Sequence, residues 1–188
     1  MIEIFNAISR HMVKGIMLHE QMADYFDFLG LSGFKRWAEV QYIHENAKLR
    51  GLHRYAINHL NKIINDEKIE SVELIPSSWY GVTRQQVDSS TRKQGLKEVL
   101  DRWYDWEKET KEFYERQFKT LTDNSKIAEA NKINELICDV DHELKCVCRK
   151  MIEYRSVEYD MSYVMFQQQE MHDKYEKELK EVYKIEMC

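Results

Sequence analysis

The run Tyr25–Lys48, YFDFLGLSGFKRWAEVQYIHENAK, constrains this chain most, because two long stretches of helical apolar spacing meet there across a Gly-x-x-Gly turn. Upstream, Ile4, Ile8, Met12, Ile16, His19, Ala23 and Phe26 recur every three or four residues, which predicts a helix from about 4 to 29. Downstream, Phe34, Trp37, Gln41, Glu45, Lys48, Leu49, Leu52, Ala56, Leu60 and Ile63 keep the same period, which predicts a second from about 33 to 64. Gly30 can take the left-handed geometry that ends the first helix, and Ser32 can cap the second. Helices of this length joined by so short a turn must lie antiparallel.

Between Asn65 and Ser90 the period is lost, and the sole proline, Pro76, falls in ELIPSSW. This segment reads as a long crossover that returns the chain along the hairpin. Leu96, Leu100, Trp103, Glu107, Thr110, Phe113, Gln117 and Leu121 then predict a third helix over about 91–121, closed by a turn at Asp123–Ser125. Ile127, Ala130, Ile133, Ile137, Val140, Leu144, Val147 and Met151 predict a fourth over about 126–155, and a charged fifth follows over about 161–185. With one proline, six glycines and no linker-like shift in composition, the expected fold is all-α in a single domain, 1–188. Its architecture would be a four-helix bundle of two antiparallel hairpins with one long crossover, plus a C-terminal fifth helix.

A net charge of −5 with interspersed signs gives no basic stripe, so nucleic-acid partners are not expected. The first residues lack the basic start and apolar run of a secretion signal, and no later run is long enough to span a bilayer. No membrane association and a cytoplasmic location are therefore expected. Cys146 and Cys148, two apart on a helix, point in different directions; with Cys138 and Cys188 they read as small apolar fillers. His11, His53, His59 and His172 are scattered and read as solvated or capping groups, while His44 points about 100° away from Glu45 around the helix.

Carboxylates on the apolar stripes carry the chemistry. A buried, ionised carboxylate is costly unless it is paired or bound to metal, and Glu45, Glu107 and Glu143 all fall on buried faces. Antiparallel hairpins would bring them together near mid-bundle, where oxygen-rich clusters hold iron or manganese.

The turn segment YFDFLGLSGFKRW, the linker LIPSSW and VMFQQQEM in the fifth helix resemble non-haem ferritins, and the resemblance extends over nearly the whole chain. It implies a di-iron site in which the first helix gives Glu, the second Glu-x-x-His, the third Glu and the fourth two polar ligands three apart. A gapless match within each hairpin puts Met12 at the first Glu, Glu45 at the second, Lys48 at the His, Glu107 at the third-helix Glu, and Val140 and Glu143 at the last pair. A register shifted by one offers Asp139-x-x-His142 instead, and His19, on the face of Met12, replaces a family Tyr and could act as an unusual ligand. The crossover looks longer than the resemblance implies.

Lys48 decides between two functions, because a fixed ammonium beside Glu45 or Glu107 competes with metal. In the first, implied by the resemblance, the chain is an iron-binding, iron-storing homo-oligomer whose subunits assemble into a shell and whose partly lost di-iron site gives weak or absent ferroxidase activity. Its metal would be iron, or manganese. In the second it binds no metal and serves as a structural or interaction protein with a Glu–Lys network in its core.

Overall fold

The computed structural model describes residues 1–65 and 83–186. The helices among them are α1 (Ile2–Phe28), α2 (Ser32–Tyr55), α3 (Ser89–Asp123), α4 (Ile127–Ser156) and α5 (Met161–Glu186). No strand interrupts them among the described residues. The LIPSSW linker and most of the crossover lie outside those residues.

Gly30, at φ +72°, lets the chain turn out of α1: its N–H donates to Asp27 O at 3.0 Å, and Leu31 N donates to Phe26 O at 2.8 Å. This is the paired hydrogen-bond closure that a left-handed residue past a helix end permits. Ser32 does not cap α2 as expected; it is the first helical residue, and no side chain caps that end. The turn between α3 and α4 repeats the closure with Ser125 in the left-handed position, Ser125 N donating to Thr122 O and Lys126 N to Leu121 O. At the start of α3, Asp88 Oδ1 accepts from Thr91 N at 2.7 Å.

The second helix ends before the expected residue 64. It winds as a π-helix over Ala56–Leu60 and stops at Asn61, whose φ is +51°. Ile63, placed by periodicity on the buried stripe, is consequently 83 % exposed. A left-handed asparagine costs little because its short polar side chain tolerates that region, so the helix can end there without glycine.

α1 pairs with α2 and α3 with α4, two antiparallel hairpins packed into one bundle. The core divides in two. Leu18, Met22, Phe26, Phe34, Trp37, Leu100, Trp103, Val147 and Tyr154 fill the end near Gly30, and Ile8, Met12, Leu52, Tyr114, Leu121, Ile133 and Val140 fill the other. On α2, α3 and α4 the switch from one cluster to the other brackets a glutamate, Glu45, Glu107 and Glu143, and on α1 His19 follows just past it, beside Leu18.

α5 lies along α2 rather than ending the bundle as a short cap. Gln168 meets Gly33, Arg36 Nε contacts Glu176 Oε2 at 2.8 Å, His44 Nε2 stands 3.5 Å from Glu178 Oε1, and Leu179 packs on Val40 and Ile43. The two helices therefore run in the same direction. Among the described residues no helix is long and apolar enough to cross a membrane.

Candidate metal centre

The polar layer is assembled by spacing. Glu45 and Lys48 are three apart on α2, so both side chains leave the same face, and Trp103 and Glu107, four apart on α3, do likewise. Lys48 Nζ donates to Glu45 Oε1 at 2.8 Å and reaches across to Glu143 Oε1 on α4 at 2.7 Å. Trp103 Nε1 donates to Glu107 Oε1 at 3.1 Å, and His19 Nε2 of α1 stands 3.6 Å from that same oxygen. The three acids predicted from the stripes thus converge, with Lys48 between two of them.

Neither ring nitrogen of His19 makes a hydrogen bond, although the residue is fully enclosed; 3.6 Å is an ion-pair separation and too long for a hydrogen bond. Burial pushes the imidazole pKa down, but Glu107, Glu45 and Glu143 outweigh it and hold His19 above its ordinary value. Burial likewise opposes the Lys48 ammonium, yet Glu45 and Glu143 leave it a weaker acid than a free lysine. Glu143 is pushed up to about 8 by burial first and then by Glu107 and Glu45, against the pull of Lys48.

These shifts pull opposite ways on the Lys48–Glu143 contact, one strengthening the ammonium and the other protonating the carboxylate. The 2.7 Å donation from Lys48 Nζ is compatible with either charge of the Glu143 carboxyl. The high proton affinity of Glu143 then expresses a surplus in the layer, three carboxylates facing one ammonium. Tyr114 borders the same layer, and burial followed by the three glutamates raises its hydroxyl pKa well above the usual range.

Two of the expected alternatives fail. Asp139 and His142 are both exposed at the bundle surface: His142 points about 100° away from Glu143, and Asp139, about 100° from the buried Val140, lies on the outer edge of that face. His142 instead meets Cys146 one turn on, at 3.7 Å. His11 is not a solvated group either: it stacks between Trp106 and Phe113 at 4.6 and 4.5 Å and shares a 2.8 Å hydrogen bond with Thr110 Oγ1. Sequence reasoning missed Trp103 as the partner of Glu107, although the i,i+4 spacing was there to be read.

Di-iron bundles take a carboxylate from each of two helices and a Glu-x-x-His from each of the other two. Here the gapless positions Met12 and Val140 are apolar and buried, and Lys48 puts a donor where a ligand must accept. The donor set does not fit a two-metal centre. Among the described residues no group of three or more His, Cys, Asp and Glu is disposed to hold a metal.

No protein-family model and no curated protein sequence matches the chain. Solved structures do. An open-pore ferritin from the hyperthermophilic archaeon Archaeoglobus fulgidus superposes with TM-score 0.73 at 19% identity, over 91% of this chain and 93% of that one. A humanized archaeal ferritin gives 0.76 at 16% identity, over 91% and 94%. Rhodobacter capsulatus bacterioferritin, described with a metal-free dinuclear site and heme iron, gives 0.66 at 17% identity, over 82% and 85%. The chain has a ferritin-like fold.

Proposed function

We propose that the chain is a subunit of a ferritin-like iron-storing homo-oligomer whose bundle centre is closed to metal by its own lysine, leaving ferroxidase activity weak or absent. The observation that carries this reading is the Lys48 ammonium, 2.8 Å from Glu45 and 2.7 Å from Glu143. An internal cation in contact with both carboxylates occupies the electrostatic place of a divalent ion, and displacing it would leave a desolvated ammonium without partners. Iron in this reading is cargo, and a cytoplasmic location goes with it.

The metal-free alternative keeps the same centre and drops the cargo; the Glu–Lys network then specifies packing alone. Fe(II) oxidation by the purified oligomer in air tests the closed centre that both readings share, and the iron content of the same oligomer separates them. The expected rate is no higher than that of buffer, rising in Lys48→His, which exchanges the ammonium for a ligand. Saturable wild-type oxidation that is lost in Glu107→Ala contradicts the reading.

A further inference from the structure

A cavity of about 200 Å³ opens between α2, α4 and α5, with Glu143 and Trp103 of the central layer at its floor. Gln41 and His44 line it from α2, His142 and Cys146 from α4, and Glu178 from α5, against the aromatic rings of Trp37 and Tyr175. Two of these side chains already have metal-chelating geometry. His142 and Cys146 are one helical turn apart, with Nε2 and Sγ separated by 3.7 Å. A tetrahedral zinc ion bound at about 2.3 Å to sulfur and about 2.0 Å to nitrogen spans its two donors by about 3.5 Å, so the pair has the required bite.

Two more donors face the same space. His44 Nε2 and Glu178 Oε1 lie 3.5 Å apart, with side chains 40 % and 36 % exposed, so either can rotate without disturbing the core. Among the described residues no three such groups yet converge on one point, and one of these two must swing inward to complete a site. Gln41 Oε1 is buried with no hydrogen-bond partner and lines the cavity, an acceptor in want of a donor such as a metal-bound water. The lysine on the rim, Lys174, is exposed and lies over the Tyr175 ring at 4.5 Å.

We propose that this cavity binds one divalent cation of the zinc class, with Cys146 Sγ and His142 Nε2 as the preformed pair and His44 or Glu178 closing from the facing helix. Thiolate with imidazole selects zinc or cobalt over the hard cations that prefer carboxylate and water alone. Binding releases the Cys146 thiol proton to solvent and leaves the neutral imidazole to ligate. The ion would tie α4 to α2 or α5, staple-fashion. The cavity borders Glu143 of the central layer, but the proposed ligands are Cys146, His142 and His44 or Glu178 and do not include it.

Cobalt(II) titration of the reduced full-length protein tests this, because a thiolate-to-cobalt charge-transfer band reports sulfur ligation directly. The expected band saturates at one Co(II) per chain, is displaced by Zn(II), disappears in Cys146→Ser, and weakens at least about tenfold in affinity in His142→Ala. It persists in Cys148→Ser and Cys188→Ser. Absence of the band in the wild type, its survival in Cys146→Ser, or its loss in Cys148→Ser overturns the proposal, with the circular dichroism of each variant confirming that it is folded.

Discussion

The ammonium of Lys48 balances charge in a layer that otherwise gathers three carboxylates. Removing it strands Glu45 and Glu143 side by side, so Lys48→Met is expected to lose about 3 kcal/mol in urea unfolding at neutral pH. Burial and the facing acids push Glu143 up to about 8 and the same acids raise His19, so the native state binds more protons than the unfolded chain. Stability from both groups is therefore greatest at low pH and falls as pH climbs. His11, held down to about 4 chiefly by burial, acts in the opposite sense, but only below the ordinary imidazole value of 6.5. Between pH 6.5 and 8 stability should accordingly fall, and Glu143→Gln should flatten the slope; an unchanged slope in that variant contradicts the account. Glu45, Glu107, Glu143 and Lys48 were legible because a charged residue on an apolar stripe breaks the pattern. The unpartnered nitrogens of His19 were not, since they depend on how far α1 stands from α3.

Helix existence was readable from the three-and-four period, whereas ends and docking were not. Asn61 stops the second helix through its own backbone geometry, with no proline or glycine to announce it. The course of α5 along α2 rests on Gly33, where an added Cβ would lie 2.1 Å from the carbonyl oxygen of Gln168. Backbone cannot yield there as a flexible side chain would, so Gly33→Ala should force the two helices apart. We expect a loss of about 1–3 kcal/mol, with faster hydrogen exchange concentrated in α5. Unchanged exchange in α5 would mean that this close crossing does not hold it. Nothing in the sequence marked Gly33 as a crossing point, because at the start of a helix glycine reads first as turn punctuation.

The fold as a whole is that of ferritins, with a fifth helix laid over the flank of α2. On the proposed reading the subunits assemble, and light scattering with iron analysis on one sample should give an oligomer that carries iron. A small iron-free particle would favour the purely structural alternative. The central claim, that Lys48 closes the middle of the bundle to metal, is tested most directly by anomalous diffraction at the iron edge from crystals prepared anaerobically with Fe(II). The account predicts no anomalous peak among Glu45, Glu107 and Glu143, with the Lys48 ammonium still bridging Glu45 and Glu143. A well-occupied iron ion ligated by those carboxylates, with Lys48 displaced, would contradict it.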